Sequence, residues 1–339
     1  MDKEFLNDEL LDDELLGEDL FTSAVAQIRA KENTLLNNQA LNSLMTCTTL
    51  EECIQFLLDK GWGPTAHNTP EELITEEREK MWALIRSLCD DKQMHNFDIF
   101  RLGTDFHNLK AAIKESYVQK QMPNVYINDG TIPVEKIRKC AQDNDFSALP
   151  ISMMKCAEEA RELLFHTGDS QSCDCIIDRA ALLAIVKAGK DSGNALIRDY
   201  AELKCAAADI NIAIRACKAN KDVDFLQRAF AECDSISVQK LILATRNGLD
   251  AVYEYLEGTT YADAIEAIKK SPASFDIWCD NRMMKLIKPQ KYNAFTISPL
   301  CSYVLAKENE LKSVKIILSG KANSLAEEKV RERIRDSYV

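Results

Sequence analysis

The chain has 339 residues, of which 46% are hydrophobic and 28% charged, the usual balance of a folded protein with sizeable cores. Its formal net charge of −12 argues against nucleic-acid or anionic-lipid binding as a general function, because both need clustered Lys and Arg. The length predicts two or three domains, each of roughly 100 to 200 residues. Only 11 Gly and 8 Pro are present, so few breaks and long helices are expected.

The N-terminal segment is strongly acidic. Residues 1–20 contain nine carboxylates and one cation, Lys3, so they lack the basic start and apolar centre of a secretory signal. We interpret residues 1–20 as an acidic N-terminal extension and expect a cytoplasmic protein.

Apolar runs such as Ala180–Val186 are far shorter than the roughly 18 residues that span a bilayer, so no transmembrane segment is expected. The twelve Cys are therefore expected to be reduced.

Helical patterns begin directly after this extension. The first covers Phe21–Leu36, a second begins at Thr49, and a long charged one runs from about Glu71 to Cys89. Thr49 followed three residues later by Glu52 is a capping box, which marks a helix start. A further helix is predicted over Leu102–Tyr117, with apolar residues at steps of three and four along one side.

A six-residue pattern recurs in three predicted helices. It occurs as Asp105–Lys110, as Asp199–Lys204 and as Lys307–Lys312. The spacing is much longer than the period of about 20 to 50 residues in solenoid repeats, so each copy belongs to a unit of domain size. The Leu-Lys step of the pattern falls at three positions separated by 94 and 108 residues: Leu109, Leu203 and Leu311.

Turn-forming residues indicate where these units end. They cluster at Met122–Pro133 and near Lys218–Asp222. We therefore predict three similar helical domains after the extension, at residues 21–121, 122–219 and 220–339.

The predicted fold class is all-α. Alternating apolar runs of the strand type are confined to Val125–Ile127 and Phe295–Ile297. In the second copy of the repeat, Ile210 and Ile214 lie on one apolar side with the spacing of helices that pack lengthwise. A second capping box, Ser324-Leu325-Ala326-Glu327, predicts the start of a last charged helix.

The sequence contains no recognisable reactive centre. Gly189-Lys190 and Gly320-Lys321 lack the rest of a phosphate-binding loop, and the four His lack metal-ligand spacing. We interpret Cys173-Asp174-Cys175 as a loop with two thiols, and residues 76–80 as a solvated charged helix face. We predict no catalytic, cofactor-binding or metal site and no small-molecule substrate. Three Lys that follow the repeated Leu are interpreted as surface residues or partners of nearby acids: Lys110, Lys204 and Lys312.

Two stretches resemble signatures of the C-subunit family of V/A-type ATPases (V-type ATP synthases), in which the eukaryotic member carries the letter d. They are Asp105–Ala112 and, more specifically, Glu308–Asn323, and Ala24–Ala30 resembles the opening helix of the family. The resemblance covers nearly the whole chain except the acidic extension. It is weakest in the middle module, where only Pro133–Ile137 corresponds to the Thr-capped helix.

This resemblance implies a central-stalk rotor coupler: a funnel of three similar helical-bundle domains with pseudo-threefold symmetry. Such a protein is not an enzyme. It joins the rotating shaft of the catalytic head to the proton- or sodium-translocating membrane rotor ring, as a peripheral protein on the cytoplasmic face. The expected partners are thus ring and shaft subunits. Two alternatives stay open, namely a free-standing helical adaptor protein and a helical enzyme with an unrecognised site.

Overall fold

The computed structural model describes residues 21–63 and 69–339, and the acidic extension lies outside these residues. The described residues form helices joined by turns, without a strand, which confirms the all-α fold class. Val125–Ile127 and Phe295–Ile297 are not strands. Instead of pairing with a second strand, the backbone N–H and C=O of Ile127 bond the Asn108 amide at 2.9 and 2.8 Å.

The helices are numbered α1 to α17. In chain order they are α1 (residues 21–32), α2 (Asn38–Thr46), α3 (Leu50–Asp59), α4 (Pro70–Leu88), α5 (Asp91–Asp98), α6 (Leu102–Val118), α7 (Val134–Asp143), α8 (Ile151–Thr167), α9 (Ser170–Asp191), α10 (Ala195–Ala219), α11 (Val223–Ala229), α12 (Val238–Asn247), α13 (Leu249–Glu257), α14 (Ile265–Lys270), α15 (Pro272–Ile287), α16 (Ser298–Ala322) and α17 (Glu327–Arg331), with short 3-10 turns at Ala262–Ala264 and Lys288–Tyr292. None of them is both long and apolar enough to cross a membrane within residues 21–63 and 69–339.

The described chain groups into two compact units. Unit 1 contains the residues up to Met94 together with Lys270–Val339, and unit 2 contains His95–Lys269. The three domains at residues 21–121, 122–219 and 220–339 stay a prediction.

Unit 1 is organised around α16. This helix packs against α2, α3, α4, α15 and α17 and is buried along most of its length, with Lys312, Lys315 and Ser319 exposed on one side. A helix with this burial must satisfy its polar side chains internally. Apolar residues of α16 and of its neighbours form one core: Leu36, Leu41, Leu44, Met45, Cys53, Leu57, Trp62, Ile74, Leu311, Val314, Ile317, Leu318 and Val330.

The first capping box is present as predicted. The Thr49 hydroxyl accepts a hydrogen bond from the Glu52 backbone N–H at 3.2 Å. The Glu52 carboxylate accepts in return from the Thr48 N–H at 2.6 Å, one residue earlier than in the standard motif. After α3 the chain turns at Gly61, whose φ of 85° is the left-handed conformation that glycine adopts without strain.

The prediction of a second capping box at Ser324 is wrong. Helix α17 begins at Glu327 without a side-chain cap, and Ser324 has a left-handed φ of 51°. Ser324 instead terminates α16: its N–H donates to the Lys321 carbonyl at 3.1 Å, and the Leu325 N–H donates to the Gly320 carbonyl at 2.9 Å. These two bonds form a Schellman motif, so the serine closes one helix rather than opening the next.

Unit 2 has its main core between α6, α7, α8 and α9, and α10 packs along α9. The α9–α10 crossing is close at Gly189, where an added Cβ would lie 2.5 Å from the Ala201 Cβ. The prediction that Cys173-Asp174-Cys175 forms a loop is wrong, because these residues belong to α9 and Cys173 is fully buried. The packing of α9 against α6 and α8 determines this, and the short motif does not show it.

The repeated Leu is buried in all three copies. Leu109, Leu203 and Leu311 lie on α6, α10 and α16 and are 0%, 5% and 1% exposed. The predicted apolar side of the second copy is also buried at Ile210 and Ile214. The helical repeats therefore use the same position for packing.

Replacing Ile210 by Asp tests this packing. Ile210 is 0% exposed, so the variant buries an unpaired charge, and we expect a loss of roughly 3 to 5 kcal/mol in the free energy of unfolding. Ile151→Asp is the matched control, because Ile151 is 68% exposed at the start of α8, and it should change stability by less than about 0.5 kcal/mol. Equal urea midpoints for Ile210→Asp and wild type would refute the packing assignment.

Candidate functional site

A cluster of buried charges in unit 1 is centred on Lys307 of α16. Its Nζ lies 2.9 Å from Glu77 Oε2 on α4 and 2.7 Å from Glu310 Oε1, one turn further along α16. The three side chains are 7%, 9% and 5% exposed. We call Lys307, Glu77 and Glu310 the buried triad.

Neighbouring groups satisfy the remaining polar atoms of the buried triad. The Lys307 ammonium lies over the Trp62 ring, 4.3 Å from its centroid, a favourable cation–π arrangement. Glu77 Oε1 accepts from the Gly63 N–H at 3.2 Å, and Glu310 Oε2 accepts from the Leu36 N–H. The triad thus joins α4 and α16 to two chain segments that lie outside these helices.

Burial and ion pairing oppose each other in setting the protonation of the buried triad. Burial acts to raise the pKa of Glu77, but Lys307, Lys80 and the Gly63 N–H together outweigh it, so the pKa lies below its ordinary value. For Glu310 burial dominates and raises the pKa despite the same lysine. Burial acts to lower the pKa of Lys307, but the two carboxylates raise it above its ordinary value. Lys307 therefore stays charged between two carboxylates, of which Glu77 has the lowered pKa and Glu310 the raised one.

The network continues outward along α4. Lys80 pairs with Glu76 at 3.0 Å and with Glu77 at 3.1 Å. Arg78 binds Glu308 through two hydrogen bonds of 2.8 and 3.0 Å. Bidentate arginine pairs are geometrically specific, so this contact aligns α4 with α16 a second time. The interpretation of residues 76–80 as a wholly solvated face is thus wrong at Glu77.

A second shared feature lies on the three helices that carry the repeated pattern. On each, a buried polar side chain binds the backbone of a segment that follows 22 to 27 residues later. Asp105 of α6 accepts from the Thr131 N–H at 2.9 Å, and Asp209 of α10 accepts from the Ala231 N–H at 3.1 Å. The Asn309 amide of α16 donates to the Asp336 carbonyl at 2.9 Å. We call these side chains the three tethers.

The tethers were not found from sequence because their positions within the repeat differ, and the triad was not found because Glu77 lies outside the repeat. Asp105 opens the first copy, Asn309 is third in the last, and Asp209 lies beyond the second.

Two of the three repeated lysines form ion pairs, as interpreted. Lys110 pairs with Asp178 at 2.7 Å, and Lys312 pairs with Asp280 at 2.9 Å. Lys204 is exposed on α10. These lysines thus fix helix neighbours or face solvent.

The described residues contain no cluster of three or more His, Cys, Asp or Glu that is arranged to hold a metal ion. Burial raises the pKa of several thiols, among them Cys89 and Cys173 to about 11 each, so these thiols are poor nucleophiles.

These features define an all-helical protein whose central helices are tied to their surroundings by buried ion pairs and polar tethers. A model of the ATP synthase (C/AC39) subunit family matches residues 24–333. The chain therefore belongs to this family, and the resemblance noted from its sequence is confirmed.

Relatives of known assignment share low identity over nearly their full length. The chain is 20% identical over 319 residues to the C subunit of the V-type sodium ATPase of Enterococcus hirae, covering 92% of this chain and 97% of that protein. It is 22% identical over 336 residues to the C subunit of the A-type ATP synthase of Methanocaldococcus jannaschii, covering 90% of this chain and 84% of that protein. The C subunit of the A-type ATP synthase of Desulfurococcus sp. strain SY is 19% identical to it over 324 residues, covering 91% of this chain and 88% of that protein.

Replacing Lys307 by Met should lower the free energy of unfolding. Met keeps the apolar stem but leaves two carboxylates buried without their cation, which costs roughly 3 to 5 kcal/mol in the free energy of unfolding. Lys312→Met is the matched control on the same helix. The Lys312 side chain is 48% exposed and its partner Asp280 also pairs with Arg335, so the loss should be below about 1 kcal/mol. Similar losses in both variants, measured by urea denaturation, would contradict a special role for the triad.

Asp209 predicts a pH dependence. Burial raises the pKa of this carboxyl from its ordinary 3.8 to about 7, although the Ala231 N–H and Arg179 favour the charged form. The folded state thus binds a proton more tightly than the unfolded state, and the stability this contributes is present below about pH 4 and is lost as pH rises towards about 7.

Asp209→Asn should remove this slope, because Asn carries no ionisable proton. We expect the unfolding free energy of the variant, relative to wild type, to rise by roughly 3 to 5 kcal/mol between pH 4 and 7. Asp178→Asn is the matched control, at a side chain that is 56% exposed. Parallel stability curves for wild type and Asp209→Asn across this range would show that the carboxyl does not titrate there.

Proposed function

We propose that this chain is a non-catalytic central-stalk component of a rotary V/A-type ATPase, which couples the rotating shaft of the catalytic head to the ion-translocating membrane ring. The observation that carries the proposal is the family match over residues 24–333. Relatives named as parts of a sodium ATPase and of ATP synthases, matched over most of their length, support it. The partners are then the rotor ring and the shaft subunits, and the chain lies on the cytoplasmic face of the membrane.

The proposal includes the architecture that such a role requires. Three similar helical domains, at residues 21–121, 122–219 and 220–339, form a funnel with pseudo-threefold symmetry. Support comes from the buried Leu109, Leu203 and Leu311 at matching positions of three helices, and from the three tethers on the same helices. In this arrangement Asp105 and Asp209 attach the central helices of the first two domains to the beginning of the next domain, and Asn309 attaches that of the third to its own C-terminal segment.

Stiffness is the physical property that links the structure to the proposed role. A protein that transmits torque must not absorb it, and close-packed interiors transmit strain because they have low compressibility. In unit 1, α4 and α16 are held by apolar packing, by the buried triad and by the bidentate Arg78–Glu308 pair. Sliding of one helix along the other would separate buried charges, which strongly opposes such motion.

Removal of this chain from a reconstituted complex tests the coupling role. Without it, ATP hydrolysis by the head should continue while ATP-driven ion transport into proteoliposomes falls to the background level. Adding back the wild-type chain should restore transport, and the conservative surface variant Lys204→Arg should restore it equally, since Lys204 is exposed. Ion transport that persists without the chain would rule out coupling.

The same preparation separates this role from that of a free-standing adaptor. The chain should bind the isolated ring and the isolated shaft in a pull-down assay, because a coupler contacts both. A stable folded chain that binds neither would favour the adaptor.

A further inference from the structure

One exposed loop of unit 1 combines aromatic and basic side chains. It comprises residues 285–295, which include the end of α15 and the 3-10 turn at Lys288–Tyr292 and lead towards α16, and we call it the basic aromatic loop. Tyr292 is 93% exposed and Phe295 is 55% exposed. Lys285 and Lys288 are exposed on the same segment. Large aromatic side chains in this setting are typical of a contact surface.

The loop lies in the most acid-poor part of the chain. Residues 281–307 contain no Asp or Glu, the longest such run among 339 residues that include 54 acids. The run carries five cations, of which Lys307 is neutralised within the buried triad. The remaining four give the surroundings of the loop a local positive charge in a protein whose net charge is −12.

The loop backbone is fixed by helix α1. The Arg29 guanidinium donates from Nη2 to the carbonyl oxygens of Gln290 at 2.6 Å and Asn293 at 2.8 Å. Its Nη1 binds the Glu32 carboxylate at 2.8 Å, which holds the guanidinium in place. A loop held in this way presents Tyr292 without an ordering cost at the time of binding, a property of preorganised sites.

The acidic extension has the complementary composition. Residues 1–20 carry nine carboxylates and one lysine, so they account for most of the net charge of −12. Apolar pairs recur between these acids at Phe5-Leu6, Leu10-Leu11 and Leu15-Leu16. Charge and apolar surface thus alternate in this segment, as they do in the basic aromatic loop.

The point of attachment brings the extension to the loop. The chain continues from residue 20 into α1, and Arg29 contacts the loop from the same helix. Residue 21 is eight residues before Arg29, a rise of about 12 Å along a helix. Twenty residues reach up to roughly 66 Å when extended, so the length is sufficient. Attachment through a short linker also gives an effective concentration in the millimolar range, which favours binding within the chain.

We propose that residues 1–20 bind to the basic aromatic loop of the same chain. Their carboxylates pair with Lys285 and Lys288, and their apolar pairs contact Tyr292 and Phe295. The extension thereby covers a surface that is exposed among the described residues 21–63 and 69–339. This inference rests on charge, exposure and attachment in unit 1 and does not depend on the proposed rotor role.

Site-specific photo-crosslinking in the full-length chain tests the proposal. Tyr292 is replaced by p-benzoylphenylalanine, which the 93% exposed position tolerates, and crosslinked peptides are identified by mass spectrometry in a mixture of unlabelled and ¹⁵N-labelled chains. We expect peptides from residues 1–20 linked within one chain. Their yield should fall about fivefold or more in 1 M salt, where the Debye length is about 3 Å.

Charge reversal supplies the matched comparison. Lys285→Glu with Lys288→Glu should lower the crosslink yield as strongly as salt does. Lys204→Glu with Lys240→Glu changes the net charge equally at exposed positions of unit 2 and should leave the yield unchanged. Crosslinks between differently labelled chains would assign the loop to a second copy, and capture of anionic phosphatidylserine vesicles instead of residues 1–20 would assign it to a lipid surface. Either result, or the absence of crosslinks to residues 1–20, overturns the proposal.

Discussion

Burial of the Lys307 ammonium in unit 1 is the constraint on which the arrangement of that unit depends. Helix α16 is buried around Lys307, so this cation must find its counter-charges inside the fold. Glu310 provides one from the same helix, and Glu77 provides the other only if α4 lies beside α16 at one register. Trp62 and the N–H groups of Gly63 and Leu36 then complete the set. A hydrophobic core alone would allow the two helices to shift more freely.

The three tethers apply the same physical rule elsewhere. Asp105, Asp209 and Asn309 are buried or nearly so, and each binds backbone groups that regular helices and turns leave without a partner. Because a segment held by a buried hydrogen bond cannot leave without exposing an unsatisfied group, each central helix determines where its following segment lies. Helices attached in this way suit the proposed transmission of torque.

Local sequence signals predicted the elements well where local physics determines them. The bounds of α4 and α6, the Thr49 cap and the burial of Leu109, Leu203 and Leu311 follow from periodicity and capping chemistry. The prediction of a helix start at Ser324 was wrong because serine can end a helix as well as begin one. Which of the two occurs depends on where α16 ends. The prediction that Glu77 is solvated was wrong because this helix face is buried by its partner helix. The ion-pair partner Lys307 lies 230 residues away in the chain. The family resemblance was visible because it depends on sequence and not on these distant contacts.

A double-mutant cycle between Lys307 and Glu77 tests the central role of the triad most directly. Lys307→Met, Glu77→Gln and the double variant are compared with wild type by urea denaturation. The account predicts a coupling free energy of about 2 kcal/mol or more, because each single change leaves a buried charge or dipole that the second change relieves. A coupling within about 0.5 kcal/mol of zero would mean that the two side chains act independently, and would contradict the account.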